Sequence, residues 1–328
     1  MNPSRNVLTP EALSMLEVIK RTGSFAAAAR ELGKVPSALT YNVRQLEDAL
    51  DVLLFDRRSR QARFTAAGEE LLNEGRRLLE QMEAVANRVK RVATGWETQL
   101  TIAVDGVMSR QTLFEMCEAF YALDPGGRGP GTRLRLRTEV MAGTWEALVS
   151  GQADLAIGVG ADRSLPVGIQ MQPLGTMEFV FAVAPHHPLA SVEGPLGDAD
   201  LLGHRAVAVA DSAQRLAPLT VNLLPGQDVL TVASMQAKIE AQLRCMGCGF
   251  LPEPLARDHI AAGRLVVKAV QRPSRNARLG YAWRSDAPGR GKSQLGLALR
   301  WWLSQLERPA TRLALLERHG GLLPLGGA

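Results

Sequence analysis

The stretch Ser24-Phe25-Ala26-Ala27-Ala28-Ala29-Arg30-Glu31-Leu32-Gly33-Lys34-Val35-Pro36-Ser37-Ala38-Leu39-Thr40-Tyr41-Asn42-Val43-Arg44-Gln45-Leu46 decides how the rest of the chain is read. It predicts two short helices joined by a tight turn. Ser24 suits the cap of the first helix, its hydroxyl accepting from the free amides of the opening turn. Ala26 to Ala29 keep that helix thin, so another helix can approach closely. Gly33 follows Leu32, where a chain leaving a helix favours a left-handed residue. Pro36 suits the first turn of the next helix, where its missing amide hydrogen costs nothing. The second helix carries Leu39, Val43 and Leu46 on one side, at spacings of four and three. Ser37, Thr40, Tyr41, Asn42 and Arg44 lie off that stripe, and all can form hydrogen bonds. These are the parts of a helix-turn-helix DNA reader. An ordinary helical hairpin with a solvated polar face shares the pattern, because short helical pairs are common.

At 328 residues the chain is long for one domain and comfortable for two or three. Its 46% hydrophobic and 22% charged residues are ordinary for a soluble globular protein. A net charge of +5 argues against a broad polyanion-coating surface, yet leaves room for one basic face. No run of about 18 apolar residues appears, so no membrane span is expected. Met1 to Val18 carries polar and acidic residues where a signal peptide needs an apolar core. A cytoplasmic protein is therefore expected. Its three cysteines, Cys117, Cys245 and Cys248, form no disulfide framework.

Upstream, Thr9-Pro10-Glu11 opens a helix with a capping hydroxyl, a first-turn proline and an acid near the positive helix end. Leu13, Leu16, Val18 and Ile19 give it a buried side, and Gly23 ends it. Downstream, Leu53-Leu54-Phe55 and Phe64-Thr65 predict two short strands around a polar tip, a wing. Arg57, Arg58, Arg60 and Arg63 crowd that tip. Such concentrated guanidinium groups repel one another unless an anion such as phosphate lies against them. A solvated turn is the alternative, but a neighbouring recognition helix favours contact with the DNA backbone or minor groove.

Thr65 then caps a helix running to about Thr94. Leu71, Leu78, Met82, Val85, Val89 and Val92 keep alternating three–four spacing, with Gly75 in the one missing slot. That heptad pattern predicts packing along a partner. Dimerisation through this helix is favoured over packing on its own domain, since such a rod outruns the wing and reader.

After Gly95-Trp96 the pattern changes. Leu100–Val104, Arg133–Val140, Leu155–Val159, Phe179–Val183, Ala206–Val209, Leu230–Val232, Gly249–Leu251, Leu265–Ala269 and Leu279–Trp283 read as strands. Thr112–Tyr121, Thr144–Ser150, Ser234–Arg244 and Gln294–Leu306 read as helices. This alternation predicts a mainly parallel sheet with helices on its faces. Ligands in such sheets sit at carboxyl ends of strands and in the cleft between lobes. The candidate pocket is therefore Asp105, Gly106 and Val107 with Met141, Ala142, Gly143 and Thr144, and Asp211 and Ser212. Asp105 either caps the following helix or selects a cationic or hydroxyl-bearing effector.

Taken together, the chain from about Leu8 to Leu306 resembles the LysR-type transcriptional regulators. The family's reader motif stands as Gly23-Ser24-Phe25, Ala28-Ala29, Leu32, Leu46-Glu47, Leu50 and Leu54-Phe55-Asp56-Arg57, with Thr65-Ala66-Ala67-Gly68 closing the wing. Gly151–Ile157, His187-Pro188-Leu189 and Ala262-Gly263-Arg264-Leu265 match motifs of its effector domain. The resemblance implies an all-α winged helix-turn-helix at 1–66 and a linker and dimerisation helix at 67–97. A two-lobed α/β effector domain like a periplasmic binding protein would follow at 98–309, then a tail at 310–328. Lobe I would take about 98–173 and 273–309, lobe II about 174–272, with two crossing strands as hinge.

The resemblance further implies a dimer or tetramer on double-stranded promoter DNA, modulated by a small-molecule effector in the inter-lobe cleft. Family habit points to an aromatic or other small organic acid, and leaves the effector itself open. DNA contacts carry over to Ser24, Val35, Pro36, Ser37, Thr40, Tyr41, Asn42 and Arg44, with Arg57 and Arg58 in the wing. Where the family often has Ser-Gln-Pro, this chain has Val35-Pro36-Ser37, and Tyr41-Asn42 replaces a frequent Arg and Gln. Tyr41 and Asn42 are therefore expected to share base reading, with Arg44 on phosphate. No cofactor, metal, catalytic residue or membrane contact is expected.

Other constellations carry less. Cys245-Met246-Gly247-Cys248 has the spacing of a redox pair or half a zinc site, but lacks a second half, so core thiols are expected. His186-His187 falls in a family loop motif. No phosphate loop, nucleophile elbow or His-Glu-x-x-His appears. The rival reading from another class is a solute-binding receptor without a DNA role, which the α/β half alone would fit.

Overall fold

A computed structural model of the chain describes residues 7–56, 62–123, 130–161, 165–272, 276–285 and 295–319. It divides into two compact units, Met1–Val89 and Lys90–Ala328.

In the first unit, α1 spans Pro10–Thr22, α2 Phe25–Glu31 and α3 Pro36–Leu50. Thr9 Oγ1 accepts from Ala12 N at 3.2 Å and caps α1, while Gly23, at φ +67°, lets the chain leave it. Ser24 Oγ accepts from Ala27 N at 3.5 Å at the start of α2. Val35 gives α3 no side-chain cap, as its hydrocarbon side chain dictates. Ala28 and Ala29 are fully buried, so nothing bulky holds the neighbouring helices apart. Met15, Leu16, Ile19, Leu39, Val43, Leu46 and Leu54 close the core around them. Each such side chain contributes on the order of 1.5–3 kcal/mol by leaving water.

The wing is tied to α3 by a charge. Glu47, buried, accepts from Leu54 N at 2.8 Å and Phe55 N at 3.3 Å. Among the described residues the two wing strands reduce to an antiparallel bridge, Phe55 to Phe64, with Asp56 N donating to Arg63 O at 2.8 Å. Arg57, Arg58 and Arg60 lie outside the described residues. Thr65 then does two jobs. Its hydroxyl donates to Leu53 O at 2.6 Å, and the same oxygen accepts from Gly68 N at 3.1 Å.

Helix α4, Ala66–Thr94, follows. Leu72 is buried in the core of the unit and Leu71 packs against it. A Cβ on Gly75 would come within 2.9 Å of Leu13 Cδ2, so the missing heptad slot is where α1 lies against the rod. Beyond it, Leu78, Met82, Val85 and Val89 are between 46% and 67% exposed. The side chain of Val92 lies outside the described residues.

In the second unit, β1 (Gln99–Asp105) pairs in parallel with β2 (Arg133–Glu139) and β3 (Leu155–Gly160). The remaining pairs of the main sheet run antiparallel, so the sheet is mixed rather than mainly parallel. The cause is two long strands that pass between lobes in opposite directions: β4 (Ile169–Val183) and β9 (Asn276–Arg284). β9 also pairs antiparallel with β3. The far end of β4 pairs with β7 (Gly249–Pro252) and β8 (Val266–Lys268). A parallel two-stranded sheet, β5 (Ala206–Val209) and β6 (Val229–Val232), is linked by an isolated bridge from Ala206 to Cys248, the residue before β7. The β4–β9 register shifts between Pro173 and Gly175.

Helices α5 (Arg110–Tyr121), α6 (Ala142–Val149), α7 (Asp198–Leu202), α8 (Met235–Leu243) and α9 (Glu253–Ala261) cover these sheets. The last two helices are α10 (Leu297–Leu306) and α11 (Pro309–Glu317). Gln294, the start that the sequence pattern predicts for the former, lies outside the described residues, and the latter falls largely in the stretch expected as tail. Leu315 and Leu316 of α11 are buried in the same cluster as Ile102, Phe120, Trp283 and Trp302. The stretch through Glu317 is thus part of the folded unit.

Gly68 is the tightest test of the first unit. A Cβ there would lie 2.2 Å from Leu54 O, a backbone atom that cannot swing aside. Gly68→Ala is expected to lower stability by about 1–3 kcal/mol, read as a lower urea midpoint at unchanged slope. An unchanged midpoint would contradict this packing.

Candidate functional site

Helix α3 turns Leu39, Val43 and Leu46 inward. Its outer side presents Pro36, Ser37, Thr40, Tyr41, Arg44 and Gln45 to solvent, with exposed Val35 just ahead of it. Tyr41 is 61% exposed, and its hydroxyl accepts from Gln45 Nε2 at 2.9 Å. Thr40 Oγ1 donates to Pro36 O at 3.1 Å. Asn42 is the exception among the predicted residues. It is half-buried at the edge of the stripe, with its amide 3.9 Å from Met15 Sδ. A residue three after Leu39 and four before Leu46 turns toward the apolar side. Gln45, which the sequence reading passed over, takes the outward position instead. Ser24 is committed to its cap, and Arg57 and Arg58 lie outside the described residues.

The predicted cleft residues do converge. Asp105, at the end of β1, is buried and accepts from Val107 N at 3.1 Å, Met141 N at 2.8 Å and Thr144 Oγ1 at 3.4 Å. Its carboxyl pKa is pushed up to about 6 because burial outweighs those bonds. From the loop after β5, Asp211 reaches the same helix start. Asp211 Oδ2 accepts from Ala142 N at 3.1 Å and Leu219 N at 2.7 Å. Its Oδ1 accepts from Gly143 N at 3.1 Å and Ala213 N at 2.9 Å. Two carboxylates thus take the free amides of α6, where the helix dipole favours negative charge.

Ser212 extends this seam. Its Oγ accepts from Val140 N at 2.9 Å and donates to Glu139 Oε2 at 2.8 Å. Gly143 is needed here, since a Cβ would fall 1.8 Å from Ser212 Oγ. Glu146, one turn along α6, accepts from the backbone N–H groups of Gln214, Arg215 and Leu216. Gly106 is exposed and Val107 half-buried beside this seam.

Beside the seam lies a cavity of about 170 Å³, lined by Met141 and Asp211 together with Phe179, Met235, Lys238 and Phe250. Sequence reading missed Lys238 altogether. It is only 9% exposed. Of the Cys-Met-Gly-Cys run, Cys248 is buried with a thiol pKa pushed up to about 11, and Cys245 is half-buried at φ +57°. Both are free thiols. His187 Nδ1 accepts from Leu189 N at 3.1 Å and serves its loop.

Comparison with known proteins assigns the class. A family model described as "Bacterial regulatory helix-turn-helix protein, lysR family" matches residues 10–69. Another, "LysR substrate binding domain", matches residues 93–308. The chain belongs to the LysR family, and it is a LysR-type transcriptional regulator with an effector-binding domain. It is 39% identical over 286 residues to the probable HTH-type transcriptional regulator YhaJ of Escherichia coli strain K12, covering 87% of this chain and 94% of that protein. It is 34% identical over 260 residues to the HTH-type transcriptional activator AllS of Klebsiella pneumoniae, covering 79% and 95%. Full-length CbnR complexed with its target DNA shares the fold at a TM-score of 0.57 and 17% identity, over 92% of this chain and 99% of that one. Among the described residues no helix is long and apolar enough to cross a membrane.

The raised carboxyl of Asp105 has a measurable consequence. A proton held more tightly in the folded state stabilises fully below the unfolded pKa, and that stabilisation is lost as pH rises through about 6. The wild-type stability advantage over Asp105→Asn is therefore expected to shrink by on the order of 2 kcal/mol between about pH 4.5 and pH 7.5. A pH-independent difference would contradict the buried, raised carboxyl.

Proposed function

We propose that this regulator docks the outer side of α3 in the major groove of promoter DNA, with Arg57 and Arg58 of the wing on the backbone. The observation that carries the reading is the division of α3 itself. One side is sealed in the core, and the other offers Ser37, Thr40, Tyr41, Arg44 and Gln45 to solvent. Tyr41 and Gln45, already bonded to each other, are the base-reading pair, and Arg44 is a phosphate contact. Asn42 takes a supporting part beneath them.

The exposed stripe Leu78, Met82, Val85 and Val89 supports self-association through α4, because a row of apolar side chains at heptad spacing is stable once a second helix covers it. Dimers or tetramers on dyad-related sites are the resulting assembly. The effector is a small organic acid bound between the lobes, and β4 and β9 are the hinge through which it acts. The protein works in the cytoplasm, as a binding protein rather than an enzyme.

A gel shift on the DNA upstream of its own reading frame, repeated at rising salt, tests the proposal. Binding should weaken steeply with salt. Arg44→Ala is expected to weaken operator and random DNA alike and to lower the salt slope by about one. Tyr41→Ala should cost about 1–3 kcal/mol on the operator and little on random DNA. Salt-independent binding, or none to any upstream fragment, would overturn the proposal.

A further inference from the structure

Helix α11 lies just past residues 93–308, the stretch that matches the substrate-binding-domain model. Its inward side is apolar, and Leu315 and Leu316 join the cluster that holds Ile102, Phe120 and Trp302. Completing a core asks for no more than those leucines, yet the end of the helix also makes polar contacts in two directions. Toward α5, Ser109 N donates to Leu315 O at 2.9 Å, Thr112 Oγ1 donates to Ala314 O at 3.1 Å, and Ser109 Oγ donates to Arg318 O. Arg318 then holds the Glu115 carboxylate of α5 through two bonds, at 2.8 and 3.0 Å. Toward α9, Glu317 accepts from Arg257 Nη2 at 2.9 Å. Glu253, one turn before Arg257, steadies that guanidinium by accepting from its Nε at 2.9 Å. Consecutive residues of opposite charge thus reach two different helices.

Those helices belong to different cores. Helix α5 gives Phe120 to the first cluster, whereas α9 gives Ala256 to a separate one with Ala182 and Leu251. Strand β4 runs from one to the other, with Leu174 and Met177 in the first and Ala182 in the second. Helix α11 lies against β4 where its register with β9 shifts: Arg312 Nη1 donates to Pro173 O at 3.2 Å, and a Cβ on Gly175 would fall 2.5 Å from Leu316 Cδ1. Glu317 stands in the last turn of α11, where the helix dipole disfavours an acid, and Arg257 supplies the cation that offsets it. Both ion pairs are exposed, so each holds by only a few-fold in population and is screened by salt. Bonds of that strength do little for a core and suit a fastening that opens.

We propose that α11 is a releasable strap across the hinge: Arg318 and Glu317 tie α5 to α9, and parting either pair lets the two cores move about β4. This rests on the reading of β4 and β9 as the hinge, and it names the element that sets how readily that hinge moves. The leucines anchor the strap while the charged end opens and closes, so motion costs two exposed ion pairs and leaves the apolar contact intact.

Pulsed electron-spin distance measurement on the full chain tests this. Labels are attached through Arg110→Cys at the start of α5 and Ala262→Cys at the end of α9, both exposed and neither a partner of Glu317 or Arg318. The chain also carries Cys117→Ala, Cys245→Ala and Cys248→Ala, and excess unlabelled chain keeps the readout within one molecule. With the strap intact, one narrow distance is expected. Glu317→Ala and Arg318→Ala, which leave Leu315 and Leu316 in place, should each raise the fraction of molecules outside it by about two- to fivefold, and the double variant by more. A broad distribution with the strap intact, or an unchanged one in a double variant that still unfolds cooperatively, would overturn the proposal. Pro173→Gly, which frees the backbone at the crossing itself, separates strap from hinge. Broadening in Pro173→Gly alone overturns the strap and keeps the hinge, whereas broadening in none of the variants overturns both.

Discussion

The effector half of this protein depends on the free amides at the start of α6. Four N–H groups at a helix start have no partner within the helix, and here carboxylates from two different places accept from three of them, at Met141, Ala142 and Gly143. Asp105 arrives from the end of β1 and Asp211 from the loop after β5. Because β1 lies in the main sheet and β5 in the two-stranded one, this shared helix end joins the two sheets. The seam fixes Met141 and Asp211 at the edge of the cavity. The packing at the start of α6 and the placing of the cavity's edge follow from one set of hydrogen bonds.

The reading half is organised by a different economy of contact. Two buried alanines let α2 sit close to its neighbours, Glu47 ties α3 to the wing, and Gly68 and Gly75 let the chain of the rod pass close to Leu54 and Leu13. Small residues stand wherever backbone or helix must approach closely. The result is a rigid platform that holds the outer side of α3 in place, which is what a surface meant to meet DNA at fixed register requires.

Much of this was legible beforehand. The reader was, because caps, turn glycine and three–four spacing are local signals; Thr9, Ser24 and Gly33 all do what their chemistry suggests. Asp105 and Asp211 are legible as residues at the ends of strands, and both lie at the start of α6. Lys238 was not. In Met235-Gln-Ala-Lys-Ile-Glu-Ala-Gln-Leu243 it looks like an ordinary solvated position, and only the packing of α8 against β5, β6 and β7 buries it. The first ten residues of β4 were equally hidden, since Gln170, Gln172, Pro173 and Gly175 break the apolar alternation and the strand survives there through a register shift. Helix α11 is hard to read in the sequence because its short run Pro309–Glu317 follows directly on α10, although Leu315 and Leu316 complete the core. Asn42 stands half-buried at the edge of the apolar stripe, because a residue at the margin of a stripe can turn either way.

The account rests most heavily on Asp211 as the clasp between lobes. Hydrogen exchange of the full chain, wild type against Asp211→Ala, tests it directly. The account predicts that the Ala142, Gly143 and Leu219 amides lose protection together in the variant, while strands β1 and β3 keep theirs. Unchanged protection at those three amides would contradict it.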